Sequence, residues 1–330
     1  MRHAFETYVH VPGVIGIRTN IPGFRWGFGE CKVPASENAF DSCKLKVFLE
    51  ARKDRNVFAD TDIECYTGVF RDFKAKPQRK AVVFEKKLGP VSLRFSVSVQ
   101  GDCVHAVVGK SYLRLVRLKL MYIHPIAYVL FDLISLLLLQ QNMTTFYGAA
   151  AELPGGRTVV CAAAPNTGKS LTVLQLQNKY GARILAEDMA VTNGESLWGA
   201  PYTGLYRNYH DDILKTDQDN PNINLFAQRI DAVFLLQKGA QNREIEPESF
   251  LHQLLLINRY SLGYYYSPCV RVLDYYNQDV DVHAAQITEE QILGRMVGTS
   301  QRRILERQNS MDFAHVLYES MAEEDPLGES

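Results

Sequence analysis

The sequence predicts an α/β protein with a mixed sheet, preceded by a β-rich first third. Three observations carry that prediction. Up to residue 120 the chain runs in short stretches rich in Val, Phe, Tyr and Thr, broken by Gly, Pro and Asp. Beyond residue 126 strand-like and helix-like runs mix without a regular βαβ alternation. Within that second part, a Gly-Lys-Ser tripeptide stands between an apolar strand pattern and a helix pattern.

In the first third the predicted strands are Thr7–Asn20, Phe24–Lys32, Lys44–Glu50, Ala81–Lys87, Val91–Val99, Cys103–Gly109 and Tyr112–Lys119. Val91 to Val97 alternates strictly, which predicts one solvated face. Gln100-Gly101-Asp102 reads as a hairpin turn, and Arg71 to Lys80 as a basic loop. Ile126–Leu139 reads as a buried helix. At 14 residues, with Asp132 inside it, it is too short for a bilayer span of about 20.

The second part continues with strands at Phe146–Leu153 and Thr158–Ala163, joined by the tight turn Pro154-Gly155-Gly156. A helix from Lys169 to Tyr180 should stop at Gly181. A strand at Arg183–Thr192 ends in the hairpin turn Asn193-Gly194. A further buried strand covers Arg229–Gln237, and Ser249–Tyr260 is helical. Ile287–Arg307 has helical spacing, with Thr288 and Gln291 as a capping box.

Composition bounds the function. Apolar residues make up 46% and charged residues 22%, which excludes collagen-like and low-complexity chains. The net charge of −1 conceals a split: residues 1–120 carry 21 Lys+Arg against 12 Asp+Glu, and the remainder is acidic. The six cysteines form no CxxC pair, so neither a disulfide framework nor a zinc site is expected. With no apolar stretch at the N-terminus, the expectation is a cytoplasmic protein with reduced thiols and no membrane role. The basic part holds no nucleic-acid-binding motif, and no nucleic acid is expected.

The chemistry concentrates in Ala163-Ala164-Pro165-Asn166-Thr167-Gly168-Lys169-Ser170. This is a P-loop between strand and helix, with Ala163 where the pattern has its first Gly. Backbone N–H groups at a helix N-terminus favour a phosphate. Pro165, Asn166, Thr167, Gly168, Lys169, Ser170 and Leu171 are therefore the candidate nucleotide-binding residues. Lys169 can reach the β/γ oxygens, and the Ser170 hydroxyl can hold Mg²⁺. Phosphoryl transfer also needs carboxylates, and Glu187-Asp188 supplies two inside an apolar strand. Strict alternation would point them to opposite faces, so the strand must bend or only one reaches the metal.

Tyr147-Gly148-Ala149-Ala150-Ala151-Glu152, the P-loop, and Gly181 to Asp188 together resemble the core of the HPr kinase/phosphorylase-like family. That group includes kinases that tailor lasso-peptide precursors. Trp198-Gly199-Ala200-Pro201 with Leu205-Tyr206-Arg207, and Ile230 to Leu236, resemble its downstream segments. The resemblance covers about residues 144–260. It implies a phosphoenolpyruvate-carboxykinase-like P-loop fold and Mg²⁺-dependent transfer to a hydroxyl, typically serine. By resemblance, Lys169, Glu187, Asp188 and Arg207 are the catalytic candidates, and Ser170, Asp188 and Glu187 the metal ligands. ATP is the implied donor, with GTP not excluded. The family's Asp-Asp pair falls on Glu187-Asp188, and its His before the leading strand falls on Tyr147.

The expected organisation is a basic β-rich domain (1–120), a catalytic domain (121–310), and an acidic C-terminal helix and tail (311–330). The first function expected is a kinase acting on a serine hydroxyl of a peptide or protein, including a natural-product precursor peptide. The alternatives are a kinase of a small hydroxyl metabolite such as free serine, and a nucleotide-binding regulatory module with little turnover. The base, the acceptor, the reverse reaction and the oligomeric state, a homo-oligomer included, stay open. Asn258, Arg259 and Arg271 are further phosphate-clamp candidates. The tyrosines at 260, 264–266, 275 and 276 read chiefly as packing or surface residues.

Overall fold

Contacts along the chain divide it into two units, Met1–Gln141 with Tyr264–Gln286, and Asn142–Gly263 with Ile287–Ser330. The structure is a computed structural model that describes residues 4–21, 25–26, 29–30, 33–59, 68–70, 73–78, 81–118, 126–199, 227–245, 249–262 and 282–322. The fold is mixed α/β with several sheets. Among the described residues no helix is long and apolar enough to cross a membrane.

The first unit is built on a sheet. Its strands are β1 (Glu6–Val11), β2 (Ile15–Thr19), β3 (Arg25–Trp26), β4 (Gly29–Glu30), β5 (Val33–Pro34), β6 (Leu45–Arg52), β7 (Gly68–Phe70), β8 (Phe73–Gln78), β9 (Ala81–Leu88), β10 (Val91–Gln100) and β11 (Cys103–Gly109). Nine of them line up as β5-β1-β2-β6-β11-β10-β9-β8-β7, and β3 pairs with β4. Leu45, Val47 and Leu49 of β6 are buried while Lys46, Phe48 and Glu50 are not, so alternation does select one face for the core. The helices of this unit are α1 (Glu37–Asp41), α2 (Lys110–Arg117) and α3 (Ile126–Gln140). Ser36 caps α1 by accepting from the Ala39 N–H.

Two expectations fail here. Tyr112–Lys119 is not a strand: Lys110–Arg117 is α2. Its Leu-Arg alternation also satisfies a helical face, because buried Tyr112 and half-buried Leu115 and Val116 fall three and four residues apart. The basic loop is also ordered structure, since Phe73–Gln78 is β8, paired antiparallel with β9. Arg71, Asp72, Arg79 and Lys80 lie outside the described residues.

The second unit holds β12 (Thr144–Phe146), β13 (Gly148–Glu152), β14 (Thr158–Ala163), α4 (Lys169–Tyr180), β15 (Arg183–Ala186), β16 (Ala190–Thr192), β17 (Ser196–Gly199), β18 (Gln228–Arg229), β19 (Ala232–Lys238), β20 (Arg243–Ile245), α5 (Phe250–Leu262), α6 (Val282–Thr299, of which the part from Ile287 on belongs to this unit), β21 (Gln301–Arg307) and α7 (Phe313–Ala322). Six strands form a mixed sheet, β15-β13-β14-β19-β21-β20, and β12-β16-β17-β18 a smaller antiparallel one. On one face of the large sheet α4 and α7 pack through Val173, Leu176, Phe313 and Leu317. On the other, α5, α6 and the small sheet pack through Leu254, Leu293, Met296 and Leu197. The sheet is thus buried on both faces, and β14 is buried along its whole length.

Gly181 ends α4 at φ +71, its N–H bonding Gln177 O while Ala182 N–H bonds Leu176 O. The turn at Gly155-Gly156 closes the β13–β14 hairpin, with both glycines at positive φ. The long helix expected over Ile287–Arg307 is corrected: α6 stops at Thr299, and Gln301–Arg307 is a strand parallel to β19. Pairing with an apolar central strand overrides the helical spacing of this Arg/Leu-rich segment. Because α6 begins at Val282, Thr288 is interior to it rather than a cap.

Candidate functional site

The site begins where the parallel strands end. β14, β19 and β21 run parallel. β15 shares their direction, because both it and β14 are antiparallel to β13. Their carboxyl ends therefore lie along one edge of the sheet, where open α/β sheets bind ligands. The loop after β14 is Ala164 to Gly168, that after β15 is Glu187 to Met189, and that after β21 is Gln308 to Asn309. The residue just before antiparallel β13, Tyr147, lies at the same edge.

The loop after β14 turns through two left-handed residues. Asn166 has φ +64 and Gly168 φ +117, and the Thr167 N–H donates to Ala164 O at 3.3 Å. At Gly168 a side chain is barred twice. Its φ is left-handed, and a Cβ would lie 2.7 Å from Ser310 Cβ. Gly168 offers no capping side chain to α4, and Thr172 N–H is the first to bond back, to Gly168 O at 2.9 Å. The N–H groups of Lys169, Ser170 and Leu171 precede that bond, so the helix start presents donors and the positive dipole end.

β15 stops at Ala186 and β16 starts at Ala190, so Glu187 and Asp188 sit in a bend, not in a strand. An extra residue in β15 opposite Ala150–Ala151 makes a bulge just before it. That bend answers the alternation problem. Both carboxylates are buried, at 4% and 8% exposure, and neither is thrown onto the solvent face. Lys169 Nζ lies 2.5 Å from Asp188 Oδ1. The Ser170 hydroxyl donates to the Glu187 carbonyl at 3.4 Å. Lys169, Ser170, Glu187 and Asp188 are thereby brought together.

Tyr147 joins them. Its ring lies beneath the Lys169 ammonium, 3.8 Å from Nζ to the ring centre. Burial pushes the Tyr147 phenol up; the Lys169 ammonium opposes that and the Asp188 carboxylate adds to it. The sequence marked this position only as a departure from a family's histidine. The signal that could have found it was its place directly before Gly148, at the start of a strand leading to the P-loop hairpin. Behind it, the Tyr147 N–H donates to Asn258 Oδ1 at 2.8 Å, and Asn258 Nδ2 donates to Glu289 Oε1 at 2.8 Å. Arg259 Nε donates to Glu289 Oε2 at 3.0 Å. Asn258 and the Arg259 Nε are thus engaged in an internal network behind Tyr147. Arg207, Arg271 and the tyrosines at 264–266, 275 and 276 lie outside the described residues.

The oxygen donors fit Mg²⁺. Among the described residues no group of three or more His, Cys, Asp and Glu side chains is arranged to hold a metal. Mg²⁺ in phosphoryl-transfer sites needs only one or two carboxylates, the rest coming from a hydroxyl, water and substrate phosphates. Asp188 already accepts a cation, the Lys169 ammonium. A recess of about 380 Å³ opens elsewhere, in the first unit, lined in part by Phe48, Glu50, Arg52, Ser98 and His105. There Arg52 pairs with Glu50 at 2.7 Å and His105 stacks on Phe48, so its charged and aromatic groups serve each other.

No protein-family model matches this chain, and no curated protein matches it.

Proposed function

We propose that the chain is a Mg²⁺-dependent phosphotransferase of the phosphoenolpyruvate-carboxykinase-like P-loop kind. It carries the γ-phosphate of ATP to a serine hydroxyl of a peptide or protein. The observation that carries this reading is the convergence of Lys169, Ser170, Glu187 and Asp188 at one sheet edge, with Lys169 and Asp188 in direct contact. The resemblance of residues 144–260 to HPr kinase/phosphorylase-like proteins supports the same assignment.

The residues act mainly by position and charge, which dominate phosphoryl transfer. The N–H groups at the start of α4 bind phosphate oxygens. Lys169 neutralises charge that develops on them. Ser170, Asp188 and Glu187 would hold Mg²⁺, which supplies further neutralisation and orients the phosphates. One of the two carboxylates accepts the acceptor's hydroxyl proton as the oxygen attacks in line.

The test is transfer from γ-labelled ATP to candidate peptides, followed by mass spectrometry. Lys169→Ala should fold, as judged by circular dichroism, and lose turnover altogether. Transfer at the parent rate by that variant would refute the assignment.

A further inference from the structure

The cation that Asp188 holds in this structure is the protein's own. The Lys169 ammonium sits 2.5 Å from Asp188 Oδ1, and the two side chains are only 7% and 11% exposed. The face of Tyr147 closes the other side of the ammonium at 3.8 Å. A carboxylate and an aromatic face together make a cation seat. Resting on the metal-nucleotide reading of this site, we propose that Lys169 is a built-in placeholder for the divalent cation. Seated on Asp188 by Tyr147, it keeps metal off the carboxylates until a polyphosphate draws the ammonium away.

The argument is one of charge and occupancy. The Asp188 carboxylate already has a cation, 2.5 Å away, against an oxygen that a metal would approach. A divalent cation entering beside a buried ammonium also meets direct repulsion, strengthened by the low local dielectric. Without polyphosphate, Lys169 stays on Asp188, since leaving either charge buried and unpaired is costly. A triphosphate supplies the negative charge that lets the ammonium leave and the metal take its place. The exchange makes and breaks no covalent bond.

The position of Tyr147 is fixed from behind. Its backbone N–H is held by Asn258 Oδ1, and Asn258 by Glu289, both 1% exposed. Tyr147 is therefore a positioning residue for Lys169, set by a network that touches neither the lysine nor its carboxylate.

The test uses Mn²⁺ as the probe, titrated into the full chain by electron paramagnetic resonance in the absence of nucleotide. Wild type should bind Mn²⁺ weakly. Lys169→Met should bind it about tenfold tighter or more, because a competing buried unit charge is gone. Lys169→Met/Asp188→Asn should lose that gain. Tyr147→Leu keeps every charge and should give a smaller gain in the same direction. A non-hydrolysable triphosphate analogue should tighten Mn²⁺ binding to wild type. Equal Mn²⁺ affinities for wild type and folded Lys169→Met would overturn the placeholder. Should Lys169→Met not fold, an unchanged affinity in Tyr147→Leu would do so instead. A wild type that binds no analogue at all refutes the nucleotide reading. Analogue binding without the Lys169→Met gain refutes only the placeholder.

Discussion

The two units bury different things. In the first, the buried polar side chains among the described residues are His10, Thr19, Ser96 and Ser135, and the core is otherwise Val, Leu, Ile and Phe with Cys43, Ala106 and Tyr112. Its ion pairs, such as Arg94–Glu85 at 2.6 Å, keep access to solvent. The second unit buries Lys169, Glu187, Asp188, Glu289, Glu306 and Arg307. Burying paired charges gains little stability over apolar packing. The second unit therefore carries charged groups, several of them at one sheet edge, that add little to its stability.

The comparison is tested most severely at Asp188. Asp188→Asn removes the partner of Lys169 and one proposed metal ligand together, and should lower turnover by several orders of magnitude. Glu187→Gln should cost about 10²–10⁴-fold if Glu187 is the base, and clearly less if it only supports the metal. Single-turnover rates of both variants separate the cases. If both are silent, the buried acids of the second unit are structural and the contrast between the units loses its functional meaning.

A second test concerns stability. Glu289→Ala leaves the Arg259 guanidinium and the Asn258 amide without the carboxylate they now share. Breaking a buried pair on one side costs about 3–5 kcal/mol, read as a fall in the urea midpoint. Glu289→Gln should cost less, because its carbonyl still accepts from Asn258.

How much of this was legible beforehand follows the same divide. The helix from Lys169 to Tyr180 is legible where the structure has it, because each local signal agrees: strand, a turn ending in Gly168, helix, Gly stop. The acidic pair was legible because charge inside an apolar run is expensive. The bend that brings both carboxylates inward was not, since a β-bulge leaves no pattern in a single sequence. β21 was misread because its place beside β19 depends on pairing with a distant strand, which helical spacing cannot reveal. Asn258 lies 111 residues beyond Tyr147, and Glu289 a further 31 beyond Asn258, so the three meet only through the fold. Local chemistry was readable; convergence was not.

A third test separates the units by pH. Burial pushes His10 in the first unit down from 6.5 to about 4. Above pH 6.5 both folded and unfolded forms carry it neutral, and it adds no pH dependence. As pH falls from about 6.5 toward about 4 the unfolded chain takes up a proton that the folded chain refuses, so stability is lost on acidification. The loss approaches about 3 kcal/mol at the lower end. Denaturant midpoints across that range should fall for wild type and flatten for His10→Leu. An unchanged slope in the variant would show that other groups set the acid sensitivity of this unit.

The smallest effect expected, and the one that bears on what the first unit is for, lies on β8. Its Lys74 and Lys76 belong to a basic stretch outside the unit that holds the proposed phosphate site, and positive charge there would attract an acidic acceptor peptide. The two lysines are not equivalent probes. Lys74 stands opposite Glu85 on β9, so reversing it puts like charges across the strands and costs about 0.2–1 kcal/mol of sheet stability. Lys76 stands opposite Val83 and carries no such penalty. Lys76→Glu should therefore raise KM for an acidic peptide by a few-fold, with kcat and nucleotide affinity unchanged. The effect should shrink with salt, as the screening length drops from about 10 Å at 0.1 M to about 3 Å at 1 M. A Lys76→Glu variant with an unaltered KM at low salt, and a Lys74→Glu variant that only melts earlier, would assign these charges to the upkeep of the sheet and leave acceptor recognition to the second unit alone.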